Sequence, residues 1–216
     1  MNLLECLVAL ALSMLLLNPL LKTSADLLAK QIQYEKSQAL ISEAERAFEL
    51  IGRAIRMAGY RNIKSSQKTR NHSSKTPDIE VQKKTGYRGS DSILVRHELS
   101  NGIDFDCIGN VLNQERTKNQ LAYQGFLVDR QAGIPKGVKV NGGSLVCQSL
   151  DREGRIQNTT LMNGVNSLLI EELKSSMQSD QSGQNLYRVE LQMTDGAALH
   201  IKLERTFSTQ GAKSTL

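Results

Sequence analysis

Tryptophan is absent from this sequence and aromatic residues make up only 4% of it, so a platform for stacking nucleic-acid bases has little to be built from. The net charge of +5 is too small to argue for a polyanionic partner unless it is clustered. The one basic cluster, between Arg61 and Arg88, has only Tyr87 as an aromatic, and it reads as a solvated connector. There are three cysteines (Cys6, Cys107, Cys147), three histidines (His72, His97, His200) and no Cys-x-x-Cys, which gives a zinc site little support. Gly-x-Ser-x-Gly and His-Glu-x-x-His are missing, and "NGGSL" has neither the lysine nor the helix that a phosphate loop needs. Adjacent carboxylates such as Glu171 and Glu172 point to opposite faces of a strand. We therefore expect no catalytic residue, no metal and no cofactor. An enzyme reading, a membrane-tethered hydrolase, has no constellation to rest on.

Lysine and arginine are also missing before Lys22, and what fills that space is apolar. From Leu3 to Leu21 the only polar residues are Glu5, Ser13 and Asn18. As a helix this run spans about 28 Å at about 1.5 Å per residue, enough to cross a bilayer. A secretory signal would open on basic residues and close on a small-residue cleavage site, and this run does neither. The expectation is that a leader has already been removed and that Met1 is the first mature residue. Glu5 has two readings. Placed one turn from a helix start, it is favoured by the helix dipole. In apolar surroundings a carboxylate is costly and calls for a cation from elsewhere.

The stretch "NLLECLVALALSMLLL" resembles the N-terminal segment of the type IV pilin and type II secretion pseudopilin superfamily. The resemblance implies cleavage before Met1, methylation of the new N-terminus, and a Glu5 that neutralises the N-terminal amine of an adjacent subunit during assembly. Two departures are visible. Met1 stands where phenylalanine is usual, and the helix-bending proline falls slightly early, at Pro19.

Beyond Lys22 the helical period continues. Leu40, Ala44, Ala47, Ile51, Ala54 and Ala58 step by three or four, with Ile41, Phe48 and Ile55 beside them and charged residues elsewhere. Gly59 suits the helix C-terminus. Pro19 should kink the helix without ending it, because the pattern resumes on both sides. The spacing predicts a helix over 1–60, membrane-spanning at 3–21 and amphipathic at 22–59, then a basic loop-rich connector over 61–90. From Asp91 the period becomes two. "DSILVRHEL", "QLAYQGFLVD", "GSLVCQSL", "GRIQNTTL", "GVNSLLIEEL", "LYRVELQM" and "AALHIKLERTF" are seven candidate strands of an antiparallel domain over 91–216. "LDREGRI" and "QMTDGAAL" read as hairpin turns, the second as a two-residue Asp-Gly turn. The fold class is α+β: a long kinked helix whose second half packs on an antiparallel sheet.

Cys107 and Cys147 lie in the strand region and Cys6 in the apolar run. In an oxidising compartment Cys107 pairs naturally with Cys147; two buried free thiols are the alternative. The glutamate before Cys6 does not fit a lipoprotein signal, so Cys6 is expected to face lipid.

"RAIRMAGYRN", "DSILVRHE", "DFDCIGN", "GSLVCQ" and "LMNGVNSLLIE" resemble, in order and approximate spacing, the PilW-type minor pilins, with the Cys-containing strands distinguishing them from the GspJ-type pseudopilins. The resemblance implies a minor pilin that helps nucleate type IV pilus assembly and sits at or near the pilus tip, in support of adhesion, twitching motility or DNA uptake. Implied partners are other minor pilins, the major pilin, the inner-membrane assembly platform and a large tip adhesin; the composition, separately, argues against nucleic acid as a partner. The implied location is the bacterial inner membrane with the C-terminal domain periplasmic, then the cell surface. Two alternatives stand beside it: a GspJ-like pseudopilin of a type II secretion system, and a membrane-anchored binding module that never polymerises.

Overall fold

A computed structural model describes residues 2–62, 77–135, 137–138, 142–173, 185–196 and 199–209. The chain divides into two compact units, Met1–Ala39 and Leu40–Leu216. Helix α1 runs from Leu3 to Met57 and contains Pro19 without ending there. In the first unit every described residue from Asn2 to Lys36 is exposed. The apolar run is therefore unburied, and it is long and apolar enough to cross a membrane. Burial begins near Leu40, where the apolar stripe expected on the helix also begins.

In the second unit α1 buries Ala44, Ala47, Phe48, Ile51, Gly52, Ala54 and Ile55. Small residues on this face let the helix approach the sheet closely. A Cβ built on Gly52 would come within 2.4 Å of a Phe207 ring carbon. The helix ends as expected: Gly59 has φ +72°, a conformation that costs glycine little. Its N–H donates to the Arg96 carbonyl at 3.2 Å, tying the helix exit to the sheet.

Among the described residues nine strands follow: β1 (Ile79–Gln82), β2 (Ser92–Glu98), β3 (Asp104–Phe105), β4 (Val111–Leu112), β5 (Leu121–Asp129), β6 (Gly143–Leu150), β7 (Ile156–Leu173), β8 (Leu186–Thr194) and β9 (His200–Ser208). Seven form one sheet in the order β1-β2-β5-β6-β7-β8-β9, with each neighbouring pair antiparallel. β3 and β4 make a separate ribbon inserted between β2 and β5. Alternation sets the core face: Ile93, Val95 and His97 of β2 are buried, as are Tyr187, Val189, Leu191 and Met193 of β8. The apolar members of these rows share one core with the buried face of α1.

The structure corrects the sequence reading at four places. β1 lies inside the stretch expected to be loop, where it pairs Ile79 with Val95 and Gln82 with Ser92; residues 63–76 of that connector lie outside the described residues. The two strands expected at "GRIQNTTL" and "GVNSLLIEEL" are one strand, β7. Its first half pairs with β6 and its second half with β8, meeting at Val165. Gly164, at φ +76°, and adjacent register shifts absorb the handover as a bulge. The turn after β8 is longer than two residues, since Thr194 pairs with His200. The β3–β4 ribbon went unforeseen. "LDREGRI" does form a hairpin turn, closed by Asp151 accepting the Arg155 N–H.

Candidate functional site

The apolar run carries one formal charge, and its local environment is built by the first helical turn. Asn2 precedes the helix, and its backbone N–H donates to Glu5 Oε2 at 3.1 Å. The Asn2 carbonyl accepts the Glu5 N–H at 2.9 Å. Glu5 at the third helical position thus supplies the return half of a capping box, satisfying a donor the helix leaves unpaired. The carboxylate can accept further bonds, and Oε1 has no partner among the described residues. Met1, the other half of the expected assembly pair, lies outside the described residues. Cys6 is exposed.

Cys107 and Cys147 are bridged, with their Cα atoms 6.2 Å apart. Cys147 sits on β6 opposite Phe126 of β5, and both lie in the core. The bridge therefore pins the β2–β5 insert to the sheet from the core side. Around it is a cage that the sequence reading missed. Asp106 is fully buried and accepts the Ile108 N–H at 3.0 Å, the Asn110 N–H at 2.8 Å and the Asn110 amide at 3.1 Å. Arg116 completes it at 3.2 Å, with its side chain 15% exposed. From the helix, Arg53 donates to the Asp106 carbonyl at 3.1 Å; from β5, Gln124 donates to the Phe105 carbonyl at 3.3 Å. A buried carboxylate is tolerated when hydrogen-bonded and paired in this way. The signal in "DFDCIGN" was an Asp followed by a Gly-Asn turn, with Gly109 at φ +98°.

Asp91 and His97 are also buried. Asp91 accepts Lys83 Nζ at 3.0 Å, the Lys84 N–H at 3.0 Å and the Ile170 N–H at 2.9 Å, while Lys83 also donates to the Ile170 carbonyl. Burial pushes the Asp91 carboxyl up, but the bonds from Ile170, Lys83 and Lys84 outweigh it and hold the group below the ordinary carboxylate range. His97 continues the apolar row of β2, and its Nδ1 is buried with no hydrogen-bond partner among the described residues. Burial holds the imidazole below its ordinary value, against an opposing pull from Asp104; Arg61 adds to the lowering and Asp78 opposes it.

The two described histidines do not gather. His97 is in the core, His200 is exposed at the start of β9, and His72 lies outside the described residues. Among the described residues no cluster of His, Cys, Asp and Glu could hold a metal ion. No known protein family, curated protein or solved structure matches this chain.

Proposed function

We propose that the chain is a membrane-anchored assembly subunit of the minor-pilin kind, resembling the PilW type, which joins a type IV pilus at or near its tip. One observation carries the reading: Glu5 is the sole acidic or basic side chain from Asn2 to Leu21, on an exposed apolar helix. A helix capped by asparagine alone would serve a simple anchor as well, without placing a carboxylate beside hydrocarbon. One oxygen of Glu5 caps the helix, and the other remains for the amine of a neighbouring subunit. The disulfide supports export of the second unit to an oxidising compartment, here the periplasm.

On this reading the subunit inserts in the inner membrane, meets the other minor pilins, the major pilin and the assembly platform, and leaves the bilayer when it joins the filament. The carboxylate also suggests its place. An outermost subunit would have no amine above it to neutralise, so the chain lies near the tip beneath a companion, with any large adhesin further out. The test is to shear surface filaments and probe for the native chain. Recovery in the sheared fraction, together with crosslinks from Asn2 to a subunit above it, is the expected result. Retention wholly in the membrane would leave a non-polymerising module and defeat the proposal.

A further inference from the structure

Ser13 and Thr23 return their hydroxyl protons to their own helix, at the carbonyls of Leu10 and Leu20. Asn18 does not. Its amide makes no hydrogen bond among the described residues, and it is exposed among Leu15, Leu17 and Leu21. Beside it, Pro19 has no N–H to offer the Leu15 carbonyl one turn back. Three residues inside the end of the apolar run these groups meet little water, and an asparagine side chain is shorter than the lysine at Lys22 that reaches well into the interface. The helix thus presents an amide that calls for a partner at one depth.

The surrounding residues show which partner fits. Counting by alternate steps of three and four, Leu4, Leu7, Ala11, Met14, Asn18, Leu21, Ala25, Leu28 and Ile32 form an unbroken a/d row. All lie in the first compact unit and all are exposed. Glu5, Ser13, Lys22, Thr23, Ser24, Asp26, Lys30, Gln31 and Gln33 fall off the row, so Asn18 is its one polar member. A shallow groove lies over its middle, between Ala11, Met14, Leu15, Asn18, Pro19 and Lys22. The row outlasts the apolar run by more than two turns, at Ala25, Leu28 and Ile32, where membrane burial alone would not require it. It ends at Glu35, a charged d position.

We infer that residues 4–32 form the seam of a parallel dimer with a second copy of this chain, in register, with the Asn18 amides hydrogen-bonded to each other across it. Every copy enters the bilayer with the same polarity, so Asn18 of one chain meets Asn18 of the other at equal depth. An amide carries both donor and acceptor and is its own complement. Single buried asparagines at a positions fix register and a two-stranded state in the same way. The flanking g and e positions oppose no like charges: Leu17 faces Lys22, Ser24 faces Ala29, and Gln31 faces Lys36. The seam rests on the membrane anchoring proposed above, not on filament assembly, and would hold the subunit as a pair before it joins a filament.

The experiment uses the purified full chain in liposomes, over a series of protein-to-lipid ratios, with Cys6→Ser as background. Under mild oxidation, Leu7→Cys and Met14→Cys should crosslink between copies, and Leu12→Cys and Leu16→Cys, on the opposite side, should not. By energy transfer between labelled copies, Asn18→Leu should weaken association about three- to tenfold, and Asn18→Gln should retain most of it. Equal crosslinking from both sides, or an Asn18→Leu variant that associates as well as the native chain, overturns the seam. Carbonate extraction separates the underlying reading: a chain stripped from the liposomes overturns the anchoring and the seam with it, whereas a resistant chain leaves the anchoring intact whatever the crosslinks show.

Discussion

Glutamine in place of Glu5 separates the two roles this residue can have. The amide oxygen of the substituted side chain would still accept the Asn2 N–H that Glu5 Oε2 now accepts at 3.1 Å, because the capping box tolerates either residue. Glu5→Gln therefore costs the isolated helix almost nothing. Glu5→Ala removes the bond, at about 1 kcal/mol, a fraying of the first turn with no effect on insertion. A carboxylate pairing with a neighbour's amine in a dry filament core sets a different scale. Deleting one member leaves the other charged and alone, at about 3–5 kcal/mol, which is about a hundred- to several-thousand-fold in the assembly equilibrium. Both substitutions should then be alike: inserted normally in the membrane and nearly absent from sheared filaments. The assay is the ratio of filament to membrane protein at native expression. A Glu5→Gln chain that enters filaments like the native one, with Glu5→Ala only mildly impaired, would show that the carboxylate serves the cap alone and would refute the pairing.

Cys107→Ser opens a link of sequence separation 40, which the chain-entropy model values at about 4 kcal/mol; a large fall in melting temperature and faster proteolysis of the β2–β5 insert are expected, and an unchanged protein would contradict its pinning role. Gly52→Ala gains about 1 kcal/mol of helix propensity but drives a methyl into Phe207, and overpacking of about 1–3 kcal/mol should win. Chemical denaturation should show net loss, reversed when Phe207→Leu is added; a stabilised single variant would mean the ring moves aside freely. His97 should make the fold sensitive to mild acid. Its folded-state pKa lies below the unfolded value, so the unfolded chain takes the proton first, and stability is full above about pH 6.5 and lost below it by up to about 1.4 kcal/mol per pH unit. Thermal melts from pH 7 to 5 should show this slope and lose it in His97→Gln. The Asp91 carboxyl, depressed instead, holds its contribution above about pH 4 and loses it in stronger acid, so the two windows are separable.

Much of this protein is determined by its sequence alone, because the determining interactions are local. An apolar run from Leu3 to Leu21 makes a helix that water cannot favour, and a 3.6-residue period at Ala44, Ala47, Ile51, Ala54 and Ala58 already names the buried face. Alternation in β2 and β8 reflects one covered side per strand, whereas β6 is buried on both faces. With Cys6 in the apolar run, Cys147 was the natural partner of Cys107, and the structure shows the bridge in place of two free thiols. Tertiary structure decided the rest, where the partner is distant in sequence. The four residues of β1 are too short to show a period, and their strand character comes from pairing with β2. "GRIQNTTL" and "GVNSLLIEEL" read as two strands because Gly164 usually marks a turn; only the different partners on its two sides make it a bulge. His97 and Asp106 look like surface residues in the sequence. The first is carried into the core by strand alternation, and the second is made tolerable there by donors from Ile108, Asn110 and Arg116, which only the folded chain brings together.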